Sequence, residues 1–241
     1  MKKLYEGKAK ILYQTENEEI LLTHFKDDAT AFNAQKKGQI KGKGEINCSI
    51  TSALYQWLEK QGIPTHFISK ISINEMTVKS LRIIPLEVVV RNIASGSLCK
   101  QTGIPEGTVF SKPLIEFYLK DDNLGDPLLT PDRIHLLKLI SQEQLEELIV
   151  TTRRINRHLQ DFFLSCAITL VDFKLEYGLD QFDNILLADE ISPDTCRLWD
   201  QMEKDPNGKI LDKDRFRKDL GNVEAAYQEV QKRVLLRATK L

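Results

Sequence analysis

Side chains that ligate soft metals or form disulfides are scarce in this sequence. Its 241 residues include 4 cysteines and 4 histidines. Cys48, Cys99, Cys166 and Cys196 lie far apart with no CxxC pair, and no HxH or HExxH spacing occurs. Neither a zinc site nor a disulfide framework is expected. No run approaches the roughly 18 apolar residues of a membrane span, and the opening stretch MKKLYEGKAKILYQ lacks the apolar segment of a signal peptide. An excess of one charge is missing too. Lysine plus arginine is 34 against 35 for aspartate plus glutamate, a net charge of -1, which removes any overall pull toward nucleic acid or an anionic membrane. Repeats and low-complexity tracts are absent. The expectation is a cytoplasmic protein with reduced thiols and a core built as one large domain or two lobes.

What is present is charge placed inside apparent sheet. The segment 170–200, LVDFKLEYGLDQFDNILLADEISPDTCRLWD, reads as a β-hairpin. Successive strand residues point to opposite faces, so Val171, Phe173, Leu175 and Tyr177 share an apolar face while Asp172, Lys174 and Glu176 share the other. Gly178 and the polar stretch 180–184 supply a turn, and the returning arm 185–190 brings Asp189 toward Glu176. Two carboxylates about 4 Å apart repel by roughly 4 kcal/mol at an effective dielectric near 20, so a cation or a proton must offset them. With no His or Cys beside them, they suit magnesium, which takes one or two carboxylates plus substrate phosphates. The alternative is the solvated face of an edge strand, where alternating charges are ordinary.

Around this hairpin the pattern is α+β. Short strands are predicted at 10–14, 20–25, 66–73 and 77–84, the last ending at Pro85, followed by an apolar strand or crossover at 86–90. Helical spacing of Ile46, Ile50, Ala53, Leu54, Trp57 and Leu58 predicts an amphipathic helix over 44–61, stopped by Gly62 and Pro64. Residues 93–133, with prolines at 105, 113, 127 and 131, read as loop. Ser141 and Gln144 form a capping box opening a long helix. A short helix at 213–220, stopped by Gly221, and a helix from 222 to about 239 complete the chain. Two lobes are expected, an antiparallel-sheet lobe over 1–86 and a larger helix-rich lobe over 87–241, meeting near 86–91.

Three further groups bear on chemistry. Gly7-Lys8-Ala9-Lys10 pairs a permissive glycine with two ammonium groups and suits a turn over phosphates, or a basic surface turn. Arg91, at a predicted strand end, precedes the glycine turn Ala94-Ser95-Gly96-Ser97. Arginine offers a bidentate fork to phosphate, or pairs with a core carboxylate. Arg197, just past the hairpin, can reach the same cavity. Together these parts describe a site for ATP and a phosphorylated substrate.

The blocks LYEGKAKILY, DDATAFNAQKKGQIKGKGEIN, PLEVVVRNIASGSL, EFYLKDDNLGDP, LVDFKLEYG and LLADEISPDTCRLWD, in this order from about 4 to 227, resemble the signature segments of the SAICAR synthetase family. Ser95, Gln101 and Cys48 depart from the residues common there. The resemblance implies a two-lobed ATP-binding fold similar to protein kinases and ATP-grasp enzymes. It also implies an ATP-dependent ligase joining L-aspartate to the carboxylate of the ribonucleotide CAIR, with magnesium as cofactor, and a homodimer. By that resemblance Gly7, Lys8, Ala9 and Lys10 form the phosphate turn, and Leu86, Glu87 and Val89 border the adenine through their backbone. Lys120 holds ATP phosphates, and Glu176 and Asp189 bind magnesium. Arg91, Ser97 and Arg197 hold the CAIR phosphate and Lys174 its carboxylate end, which makes Lys10, Lys174, Glu176 and Asp189 the catalytic set. A kinase would need the same parts, but no HRDxxxxN loop occurs and Asp172-Phe173 is followed by Lys174 rather than glycine. A non-catalytic nucleotide sensor is the other alternative.

Overall fold

The computed structural model describes residues 1–31 and 35–240. Phe32, Asn33 and Ala34, inside the second signature block, and Leu241, the last residue of the second predicted lobe, lie outside the described residues. In chain order the elements are β1 (Lys2–Glu6), β2 (Lys10–Gln14), β3 (Ile20–Phe25), β4 (Asp28–Ala31), β5 (Lys36–Gln39), α1 (Lys43–Lys60), β6 (Phe67–Lys70) and β7 (Glu75–Lys79). There follow β8 (Arg82–Ile93), α2 (Ser97–Thr102), β9 (Val109–Leu119), β10 (Leu128–Leu129), α3 (Pro131–Leu136) and α4 (Gln142–Ser165). Last come β11 (Ile168–Leu179), β12 (Ile185–Ala188), β13 (Cys196–Asp200), α5 (Asp214–Arg217) and α6 (Val223–Ala238). One sheet has the order β1-β2-β3-β7-β6, and a second has β10-β9-β8-β11-β12 with β13 also on β11. The pairings within both, and in a third, two-stranded sheet of β4 and β5, are antiparallel, in keeping with the α+β class expected.

The hairpin's first arm, β11, is central rather than an edge: β8 flanks it on one side, β12 and β13 on the other. The solvated-edge alternative is therefore wrong. Its apolar face meets α4, where Tyr177 and Thr152 share a buried hydroxyl hydrogen bond of 2.7 Å. The capping box at Ser141 and Gln144 opens α4 as predicted, both reciprocal bonds being present.

Two prolines were misleading. Pro85 does not end a strand; β8 runs unbroken through it. The residue sits where the β8–β11 register shifts between Glu176 and Gly178, so the sheet asks no N–H of it. Pro113 likewise lies inside β9, where the predicted loop region holds an 11-residue strand. The β8–β9 register jumps there, from Arg91↔Leu114 to Ile93↔Val109, and β10 on the other side reaches only Phe117 and Tyr118. Also missed was β13, which puts Arg197 into the sheet itself.

Helix α1 buries Ile46, Ile50, Leu54 and Leu58, one per turn along a face, and packs beneath the first sheet with α6 across it. Its N-terminus carries no side-chain cap of its own, since Gly42 stands there at φ 77°. Asp27 caps it from a distance, accepting from Gly42 N at 3.0 Å and Gly44 N at 2.9 Å. That closeness leaves no room at Gly44, where a Cβ would lie 2.5 Å from the Phe25 carbonyl oxygen. Alanine is the better helix former by about 1 kcal/mol, yet overpacking against backbone costs about 1–3 kcal/mol. Gly44→Ala is therefore expected to lower the melting temperature by several degrees; an unchanged or raised value in thermal unfolding would refute this reading of the contact.

Candidate functional site

A cleft of about 810 Å³ opens between the two sheets. Of the residues singled out in the sequence, Gly7, Lys8, Ala9, Lys10, Glu87, Val89, Arg91, Ser97, Lys120, Lys174, Glu176, Asp189 and Arg197 all line it. Leu86 does not, being buried in the core on the other face of β8. Val89 is paired on both sides, with Glu116 and with Lys174, so the cleft meets its side chain.

The turn 7–9 between β1 and β2 forms the roof, closed by Gly7 N donating to the Lys10 carbonyl at 2.8 Å. Lys8 reaches across the mouth to Asp122 at 2.7 Å. Both groups are exposed, so this ion pair contributes little to stability.

Glu176 and Asp189 meet in the cleft through shared lysines. Lys174 donates to Glu176 and lies 3.2 Å from Asp189. Lys10, arriving from β2, donates to Asp189 and lies 3.1 Å from Glu190, and Lys120 donates to Glu176. Burial works against the Lys10 ammonium, but Asp189 and Glu190 more than reverse this and hold it above its ordinary range. The same contest at Lys174 is won by Asp189, Glu176 and Glu87. Burial would push the Asp189 carboxyl up, while Lys10, Lys174 and Lys120 hold it well below the usual range. Asp189 also sits at φ 62°, a left-handed conformation that Asp tolerates better than most residues, and the turn there swings its carboxylate inward from the end of β12.

The second half of the cleft is a cross-strand row. Register places Asp172 of β11 directly opposite Arg91 of β8 and Arg197 of β13. One oxygen of Asp172 accepts from Arg91 at 3.2 Å and from Arg197 at 2.8 Å. Glu116 accepts from Arg91 Nε at 2.6 Å and Asp214 from Arg197 Nε at 2.9 Å, while Ser97 Oγ accepts from Arg91 at 3.3 Å. The core-carboxylate alternative for Arg91 thus holds, and both arginines still line the cleft. Gly96 makes room for this row: a Cβ there would lie 2.5 Å from the Arg197 guanidinium, and its φ of 62° favours glycine independently.

Several site residues escaped sequence reasoning. Lys43, fully buried at the start of α1, pairs with Asp194 at 2.7 Å, and Tyr227 of α6 donates to the same carboxylate at 2.7 Å. Lys213 lines the cleft 3.9 Å from Asp194. Lys43 and Asp194 both lie in quoted signature blocks, which was the available signal; their pairing, and the part of Tyr227 in it, stayed hidden because the partners are distant in sequence.

Among the described residues no group of three or more His, Cys, Asp or Glu side chains is arranged to hold a metal by itself. The two carboxylates fit an ion that takes one or two carboxylates and completes its shell with phosphate and water oxygens, as magnesium does. Nor is any described helix long and apolar enough to cross a membrane.

Comparison with known proteins agrees with this geometry. A family model described as SAICAR synthetase matches residues 3–234. A phosphoribosylaminoimidazole-succinocarboxamide synthase from Picosynechococcus sp. is 66% identical over 239 residues, covering 99% of this chain and 96% of the relative. One from Synechocystis sp. is 64% identical over 241 residues, covering 100% and 91%. Among solved structures, the phosphoribosylaminoimidazole-succinocarboxamide synthase of Ehrlichia chaffeensis aligns with a TM-score of 0.93 at 45% identity, over 97% of this chain and 98% of that one. A SAICAR synthetase solved in complex with ADP aligns with a TM-score of 0.91 at 43% identity, over 95% and 96%.

One cleft residue generates a pH expectation. The His66 ring stands edge-on to Tyr55 with centroids 5.6 Å apart, and its Nε2 has no hydrogen-bond partner. Burial, with Lys10 adding to it, pushes its pKa down to about 3. The unfolded chain, with an ordinary value near 6.5, takes up the proton first on acidification. The contribution is thus fully present above pH about 6.5 and is lost as pH falls toward about 3. His66→Gln should lose about 3 kcal/mol less stability than the parent between pH 7 and pH 4. Urea unfolding across that range checks this, and parallel pH profiles would overturn it.

Proposed function

The chain belongs to the SAICAR synthetase family, ligases that join L-aspartate to the carboxylate of CAIR with ATP, giving SAICAR, ADP and phosphate, and we propose that the cleft between its sheets is where it does so. The observation that carries this reading is the arrangement along β11. The arginine row at Asp172 and the carboxylate–lysine cluster at Glu176 are four residues apart on one face, about 13 Å of strand. A nucleoside monophosphate fits between them, its phosphate toward Arg91, Ser97 and Arg197 and its reacting end toward Lys174.

In this reading the turn over Gly7, Lys8 and Ala9 covers the ATP phosphates, with Lys10 and Lys120 beside them, and Glu87 and Val89 border the base. Glu176 and Asp189 hold magnesium, which when bound neutralises charge on the phosphates. A carboxylate is a poor acceptor for an amine. Transfer of the terminal phosphoryl group of ATP to the CAIR carboxylate gives an acyl phosphate, and attack by the aspartate amine then expels phosphate. The protein's part is positioning and charge neutralisation: Lys10 and Lys174 stabilise the transferring group, and binding energy from the remote 5′-phosphate aligns the reacting carboxylate. The relative solved in complex with ADP supports nucleotide use. The two lobes divide at about residue 86, with the phosphate turn in 1–86 and the metal and CAIR residues in 87–241. The protein is cytoplasmic and a homodimer, and takes CAIR and L-aspartate rather than nucleic acid or membrane as partners.

The direct test is ADP release from ATP, magnesium and CAIR, with and without L-aspartate, alongside product absorbance. Aspartate-dependent release with matching SAICAR formation is expected; release without aspartate would point to a kinase. Asp189→Asn keeps shape and left-handed tolerance, so turnover should fall about 100-fold or more with little change in melting temperature. Near-normal turnover would remove Asp189 from the metal site. For Arg197→Ala, loss of a charge-assisted contact of about 1.5–3 kcal/mol should raise the KM for CAIR by roughly 10-fold or more. Unchanged CAIR kinetics would refute its phosphate role.

A further inference from the structure

All four oxygens of the carboxylate pair are already engaged. Lys174 donates to Oε1 of Glu176 and Lys120 to Oε2. Lys10 donates to Oδ1 of Asp189, and Lys174 lies 3.2 Å from Oδ2. The next carboxylates outward are drawn into the same cluster, Glu190 at 3.1 Å from Lys10 and Glu87 at 3.3 Å from Lys174. Four carboxylates thus face three ammonium groups. A free divalent cation approaching Glu176 and Asp189 finds no unshared oxygen and meets three like charges.

We propose that Lys10, Lys120 and Lys174 close the two-carboxylate site to a free divalent cation, and that a nucleotide's phosphate chain opens it by drawing these ammonium groups away. The inference rests on the reading of Glu176 and Asp189 as the metal pair. The three lysines come from different parts of the fold, β2, the turn after β9, and β11, so each leaves its carboxylate independently. Each carries its charge on a flexible four-carbon stem, and phosphate oxygens offer charge-assisted hydrogen bonds at least as good as those given up. Nucleotide binding then uncovers the carboxylate oxygens, and metal and nucleotide bind with positive coupling. By linkage each raises the protein's affinity for the other by the same factor. The device also keeps the carboxylates oriented while the cleft is empty.

The test uses Mn2+ alone as probe, with free ion read by electron paramagnetic resonance, on the full chain without substrates. Wild type should bind Mn2+ at least 10-fold more weakly than Lys174→Met or Lys120→Gln. The second variant changes a half-exposed side chain, so folding is not at stake; circular dichroism checks both. Adding ADP should raise Mn2+ affinity at least 10-fold more for wild type than for the Lys120→Gln/Lys174→Met double variant. The affinity of Mn2+ for ADP in solution is common to both and cancels. Lysine variants that bind free Mn2+ no better than wild type would overturn the proposal. Asp189→Asn separates that failure from failure of the metal reading: if it weakens Mn2+ binding in the presence of ADP, the pair holds metal and only the closing device is wrong. If it leaves that binding untouched, the metal reading itself fails.

Discussion

Asp189 can hold a negative charge inside the cleft only because lysines from separate segments converge on it. This compensation organises the site more than any single hydrogen bond does. Lys10 lies 179 residues from Asp189 in sequence, yet the pairing ties the first sheet to the hairpin of the second. Remove the carboxylate and Lys10 retains Glu190 while Lys174 retains Glu87 and Glu176, so the ammonium groups stay paired and only the link through Asp189 is lost. The two sheets are tied together by these paired charges, and their chief cohesion comes from the continuous apolar core beneath, from Leu54 and Leu58 of α1 to Phe173 and Leu175 of β11.

The arginine row obeys the same rule with a different geometry. Planar guanidinium groups on β8 and β13 share one Asp172 oxygen across three adjacent strands, with Glu116 and Asp214 closing the outer ends. Asp172 itself is pushed up by burial, against the pull of both arginines. Fixing the forks in advance lowers the ordering cost that a phosphate ligand would otherwise bear. Gly96 belongs to this arrangement as much as the charged residues do, since only the absence of a side chain lets the loop before α2 lie against Arg197.

Much of this was legible in the sequence because it follows from local periodicity. The two-residue alternation of Asp172, Lys174 and Glu176 put all three on the cleft side of β11, and the capping box and the spacing of Ile46, Ile50, Leu54 and Leu58 located α4 and α1. The role of Asp172 was not legible, because its partners are set by strand register, and nothing in the residues themselves fixes which positions of β8 and β13 lie opposite. Pro85 and Pro113 concealed strand for a related reason: proline is excluded from regular ladders but fits at shifts of register, and such shifts depend on both strands. Lys43 reads as one more charge in a lysine-rich stretch until Asp194, 151 residues on, is seen to hold it.

That last pairing has a consequence for how the molecule is made. Lys43 lies wholly buried at the positive end of α1, where the helix dipole disfavours it, and its charge is met by a carboxylate that Tyr227 fixes from α6. A polypeptide emerging from the ribosome N-terminus first has α1 long before it has either partner. Until residue 194 has been added the ammonium of Lys43 lacks its partner, and until α6 follows, the apolar face of α1 that α6 covers stays in water. The first-made helix is therefore among the last to be sealed, and the interval of synthesis between them is a window in which the nascent chain exposes surface to whatever else it meets.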